Sequence, residues 1–164
     1  MDFLDPTYLA FFSRWLHVIS GVMWIGLLWY FNFVQIPSMP NIPDNEKPAI
    51  SKVIAPKALF WFRWAALATI ITGLSTAHLN GYLSNALALG ILDGNPKSTA
   101  IGIGMWLGII MAYNVWMIIW PNQKIALGIV SSNATEKPVA ARKAMLFSRT
   151  NTALSIPVSY THLT

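Results

Sequence analysis

Apolar residues run almost unbroken through three stretches of the chain, from about Tyr8 to Val34, Ala58 to Leu83 and Thr99 to Trp120. A helix needs roughly 20 such residues to cross the hydrocarbon core of a bilayer, and each stretch meets that length. A fourth apolar stretch opens near Ala144 with "AMLFSRTNTALSIP" and predicts the start of another span over 144–156. Between the first two stretches, "IPSMPNIPDNEKP" carries closely spaced prolines and predicts an extended surface loop. "DGNPKS" predicts a turn, and Pro121 in "PNQK" predicts a sharp stop to the third helix. The pattern therefore predicts an all-α fold, an integral-membrane helical bundle of three complete transmembrane helices plus the start of a fourth. Residues 157–164, "PVSYTHLT", abandon the apolar pattern and look like a sequencing adapter read in frame. They are expected to be a non-native tail on a transmembrane domain spanning 1–156, so His162 receives no functional role.

The polar positions of the first stretch are not scattered. At about 100° per residue on a helical wheel, Ser13, Arg14, Ser20, Gly21, Trp24, Asn32 and Gln35 fall within about 60° of His17. Val22, Ile19, Leu27 and Ile36 occupy the other side. An arginine at mid-helix costs about 2.5–3.5 kcal/mol in lipid, so this stripe is expected to face a bundle interior or a wet cavity.

Composition agrees with the pattern. Hydrophobic types make up 55% of the 164 residues and charged types 10%, against roughly 25% charged in soluble domains. With no cysteine, disulfides, thiolate metal sites and cysteine nucleophiles are excluded. The net charge of +5 is dispersed over loops and does not point to nucleic acid. It points to topology. Lys47, Lys52 and Lys57 fill the first loop and Lys124, Lys137, Arg142 and Lys143 the third, while the middle loop has only Lys97. The first and third loops are therefore expected in the cytoplasm, with the N-terminus outside. The acidic start "MDFLDP" lacks a basic signal-peptide region.

An intramembrane ionisable residue is a functional candidate, and His17 is the foremost one. A neutral imidazole is a common axial ligand to haem iron, and bundle interiors house such cofactors. Gly21, one turn beyond His17, would leave a flat surface for a macrocycle, and Arg14, one turn before, would meet a carboxylate. The plainer reading is a histidine that hydrogen-bonds a neighbouring helix. His78, at the outward end of the second span, is a candidate second ligand at similar depth. It points away from the small polar face formed by Thr69, Thr72, Gly73 and Thr76. Gly104, Gly108 and Ala112 form a close helix-packing pattern. Asn114 is a deep polar residue suited to cross-bundle bonding or substrate contact. Arg63 is either a snorkelling cation or a substrate contact. Asp2, Asp5, Asp44, Glu46, Asp93 and Glu136 all lie outside the spans, which disfavours a proton-driven transporter. Phosphate loops and serine elbows are absent too. Electron transfer through a bound b-type haem needs none of these.

Four stretches, "RWLHVISGVMWIGLLWYFNFVQIPSMP", "KALFWFRWAALATIITGL", "GIGMWLGIIMAYNVWMIIWPNQK" and "ARKAMLFSRTNTALSIP", resemble the N-terminal integral-membrane domain of bacterial membrane-bound urate oxidase, or urate hydroxylase. That domain is often fused to a C-terminal cytochrome c, and its longer members have eight spans; this chain has at most four and no cytochrome c haem-attachment motif. The resemblance implies a short relative in the bacterial cytoplasmic (inner) membrane, linked to purine catabolism. Its expected partners are the lipid bilayer, a periplasmic cytochrome c or similar electron acceptor, and a second copy of the chain. An anionic urate would suit Arg14. The expectation is an oxidoreductase or electron-transfer module with haem b. The rival is a non-enzymatic membrane anchor or assembly subunit packed against a partner.

Overall fold

The computed structural model describes residues 5–131, 133 and 135–161; Asp2 and His162 lie outside them. Among the described residues every regular element is helical: α1 Pro6–Trp29, α2 Ile36–Ser38, α3 Lys47–Ala49, α4 Ala55–Leu79, α5 Leu83–Leu87, α6 Pro96–Tyr113, α7 Trp120–Ala126 and α8 Glu136–Tyr160. The starts follow local chemistry. Asp5 caps α1 by accepting a 2.7 Å bond from the Thr7 amide, and Asn95 caps α6 by accepting a 2.9 Å bond from the Lys97 amide. Pro6 and Pro96 open those helices, where a missing N–H costs nothing. Past the end of α4, Gly81 at φ 74° takes the left-handed conformation that glycine adopts without strain.

The prolines behave differently from the sequence expectation. "IPSMPNIPDNEKP" is not an extended loop, and Pro121 does not stop the third helix. Helix runs continuously over Pro6–Asn41, Lys47–Leu79 and Pro96–Ala126. The reason lies in three π-helical segments, Tyr30–Gln35, Ile50–Ile54 and Asn114–Ile119. Each stands two residues before a proline: Pro37, Pro56 and Pro121. A proline ring presses on the carbonyl four residues back and supplies no N–H to it. Those carbonyls, on Phe33, Lys52 and Met117, lie within the π segments, where the wider i→i+5 register relieves both demands. The chain passes each of these three prolines by widening one turn.

The three continuous helices are long and apolar enough to cross a membrane. Their large apolar side chains turn outward to an unusual degree: Val22 is 70% exposed and Phe11 67%, as a lipid-facing surface requires. Inside, α1 packs along α4, while α8 lies against α6, α7 and the 114–119 segment. Trp24, Leu28, Phe62, Met111 and Val115 fill the core, with Phe31 and Phe62 edge to face at 5.8 Å between centroids.

The fourth helix is longer than expected at both ends. It begins at Glu136 and passes through Pro157 to Tyr160, with Val158 in the core. It is not among the helices apolar enough to span by composition. Hydrogen bonds hold it instead. Ser148, Asn151 and Ser155 share one face. Asn32 Nδ2 donates to Ser148 Oγ at 2.8 Å and Trp29 Nε1 to Ser155 Oγ at 3.0 Å. Asn114 Nδ2 donates to Asn151 Oδ1 at 2.9 Å, and Asn151 Nδ2 to the Met111 carbonyl at 2.9 Å.

Candidate functional site

The polar stripe of α1 meets the small, hydroxyl-rich face of α4. Ser13 Oγ lies 3.0 Å from Thr76 Oγ1 and donates to the Thr72 carbonyl at 3.2 Å. One turn further along, His17 Nδ1 lies 3.0 Å from the Thr69 carbonyl and 3.4 Å from Thr72 Oγ1. A carbonyl only accepts, so this contact places the imidazole proton on Nδ1. This main-chain anchor directs the ring. Metal-bound histidines are oriented this way.

The ring also needs Gly73. A Cβ at that position would sit 2.8 Å from His17 Cε1 and 3.1 Å from Nδ1, so any larger residue would displace the imidazole. Gly73 is the residue that lets the two helices close around His17.

Half-buried, His17 lines a cavity of about 430 Å³ at the end of the bundle that holds the start of α1. The walls are mostly apolar, with Val18, Ile70, Leu74, Ile101 and Ile109 among them, and the side chain of Thr161 packs over Gly104 of α6. Trp24 closes the interior. Its buried indole N–H has no acceptor among the described residues, a donor such sites seldom leave unmatched. Arg14, Tyr82 and Lys97 supply the polar groups of the mouth. Arg14 Nη2 reaches Asn80 Oδ1 at 3.5 Å. Burial raises the pKa of the Tyr82 hydroxyl, and the neighbouring Arg14 charge lowers it in part. Tyr82 therefore stays protonated at neutral pH and can donate.

The residues named from sequence divide clearly. Arg14 and His17 come together in the cavity. Gly21 does not line it; a Cβ there would meet only Thr69 Cγ2, at 3.9 Å, so its place is the α1–α4 contact. His78 is exposed and outside the cavity. Thr76 points inward to Ser13, and two further residues turn the helix by about 200°, which carries His78 away. Arg63 lies elsewhere, with its guanidinium 3.7 Å from the centroid of the Trp120 ring. Asn114 is buried and committed to Asn151. Among the described residues no group of three His, Cys, Asp or Glu side chains could hold a metal ion, so His17 offers a single imidazole rather than part of a protein metal cage. Sequence reasoning placed Trp24 on the inward stripe and Gly73 on the small face of α4, but missed Tyr82, Lys97 and Met105 as lining residues. The period of α6 could have flagged Lys97, Ile101, Gly104 and Gly108 as one face.

Fold and site together define an α-helical bundle with three helices fit to cross a membrane and an imidazole-bearing cavity at one end. The family model described as urate oxidase N-terminal matches residues 94–164, which takes in α6, α7 and α8. That C-terminal part of the chain is similar to the urate oxidase N-terminal family. No curated protein and no solved structure matches it.

Proposed function

We propose that the chain is a membrane oxidoreductase or electron-transfer module whose cavity takes a b-type haem, with His17 as an axial ligand. One observation carries the reading: His17 is tied through Nδ1 to the Thr69 carbonyl while the same ring lines a cavity of about 430 Å³. The residues fit the group in two further respects. The walls are mostly apolar, and the Trp24 N–H has no acceptor among the described residues. When bound, haem supplies one-electron redox chemistry. The protein's own part is to hold the imidazole, exclude water from the pocket interior and present Arg14 at the mouth.

Two expectations shift with the geometry. His78 is not part of the proposed ligand set. Met105, a thioether lining the same cavity, replaces it as the candidate second ligand, since methionine sulfur serves that role in other haem proteins. The similarity of residues 94–164 to the urate oxidase N-terminal family directs the redox substrate toward urate, and an external cytochrome c or similar acceptor would take the electrons. In this reading the bundle sits in the bacterial inner membrane with the α1 start outside.

The test is to purify the full chain in detergent and determine extractable haem together with the reduced-minus-oxidised spectrum. We expect stoichiometric b-type haem in the wild type and its loss in His17→Ala. A haem-free protein that co-purifies with a stoichiometric partner would overturn this reading in favour of a membrane anchor or assembly subunit.

A further inference from the structure

At the end of the bundle opposite the cavity, two cations address one indole ring. The Arg63 guanidinium carbon stands 3.7 Å from the centroid of Trp120, and Lys124 Nζ stands 5.7 Å from the same centroid. Arg63 lies about two turns into α4, and side chains lean toward the start of their helix, so it leans toward the end where α7 carries Lys124. The main chain fixes the arrangement, because Trp116 Nε1 donates to the Arg63 carbonyl at 3.2 Å.

Neither charge is neutralised. The ion pair found among the described residues joins Lys47 to Asp44, and Arg63 Nη1 is buried with no acceptor there. A charged donor left unmatched in this way points to an anion supplied from outside the chain. The surroundings say which kind. Phe60 lies 5.5 Å from the Arg63 guanidinium and 6.2 Å from Trp64, which stands edge to face with Trp116 at 5.5 Å. Phe60 and Trp64 are each 45% exposed, on a helix long and apolar enough to cross a membrane. Exposed rings on such a helix belong at the border between acyl chains and headgroups. A soluble anion has no use for that apolar surface, whereas a phospholipid sets its phosphate beside the cations and its glycerol and acyl chains over the rings. Lys52, Lys57 and Lys143 crowd the same end and favour a lipid of net negative charge.

We propose that Arg63 and Lys124, on the Trp120 ring they share, bind the phosphate of an anionic phospholipid headgroup, with the lipid chains lying along Phe60 and Trp64. Arg63 is then a ligand-binding residue rather than a cation that merely reaches for water. The site is remote from His17 and does not depend on what the cavity holds.

The test is native mass spectrometry of the full chain, titrated in a non-ionic detergent with phosphatidylglycerol and with phosphatidylcholine of the same acyl chains. The quantity read is the ratio of the phosphatidylcholine Kd to the phosphatidylglycerol Kd. A basic residue beside an anionic headgroup contributes about fivefold. Arg63→Gln and Lys124→Gln should each lower the ratio by about that factor, and the double variant by about twenty-five-fold. Lys124 is half-buried at the edge of the bundle, so its variant keeps the test open if Arg63→Gln does not fold. Arg63→Lys keeps the charge and should keep the ratio. Lys143→Gln removes a charge from the same end outside the Trp120 cluster and should leave the ratio unchanged. An equal ratio in wild type and double variant, or an equal fall in Lys143→Gln and Lys124→Gln, would overturn the site in favour of a diffuse basic surface. Displacement of phosphatidylglycerol by inorganic phosphate, but not by chloride at the same ionic strength, would overturn the lipid as the ligand and leave a site for a soluble anion.

Discussion

Gly73→Ala is the smallest change that separates the site from the scaffold. Alanine is the better helix former by about 1 kcal/mol, so an unobstructed position would gain stability. Position 73 is obstructed: the new Cβ would stand 2.8 Å from His17 Cε1 and 3.1 Å from Nδ1. An imidazole held at 3.0 Å to the Thr69 carbonyl cannot yield without breaking that bond. Overpacking costs about 1–3 kcal/mol, and an interhelical hydrogen bond in a membrane protein contributes about 0.6 kcal/mol. Set against the propensity gain, Gly73→Ala should be about 1–2 kcal/mol less stable than wild type. Gly26 provides the control, because a Cβ there meets nothing within 4 Å. Gly26→Ala should be more stable than wild type by about 0.5–1 kcal/mol. Equilibrium unfolding in mixed micelles, followed by tryptophan fluorescence, reads both variants. Equal stabilities for the two alanine variants would refute the claim that Gly73 exists to admit the His17 ring.

Three other outcomes follow from named contacts. A double-mutant cycle on Asn114→Ala and Asn151→Ala should give a coupling energy of about 0.6–1.7 kcal/mol in the unfolding assay; additivity would mean their 2.9 Å bond contributes nothing. Arg63→Lys should cost about 1 kcal/mol, because an ammonium cannot stack as the planar guanidinium does over Trp120 at 3.7 Å; unchanged unfolding would remove that contact from the account. Ser98 and the Asn95 amide hold the Asp93 pKa below its ordinary 3.8. The stabilisation it provides is thus complete above 3.8 and fades as pH falls through the lower folded value. Hydrogen exchange in the 88–95 turn should accelerate over that acid range in wild type and show a weaker pH response in Ser98→Ala.

The α1 stripe was legible because a polar side chain in an otherwise apolar helix has few places to go, and the hydroxyl face of α4 was visible for the same reason. Their meeting, Ser13 on Thr76 and His17 on Thr69, depends on relative rotation of two helices, which single-helix periodicity does not contain. The prolines misled because Pro37, Pro56 and Pro121 terminate only a helix that keeps its α register. A π turn two residues ahead of each proline leaves no compositional mark. His78 failed to reach the cavity by simple rotation past Thr76, a geometry already evident on the wheel. Lys97 was read as a topology charge because its neighbour Arg14 lies 83 positions earlier in the chain and only the fold places them at one opening.

The claim on which the rest depends is that the His17 imidazole is the protein's bond to an iron porphyrin. Chemical complementation tests it most directly: purify His17→Gly, record the reduced-minus-oxidised spectrum, and repeat with imidazole added. The account predicts no b-type signal in His17→Gly alone and its return when imidazole fills the space left by the side chain. A full signal in His17→Gly without imidazole, or none in the wild type, would contradict it.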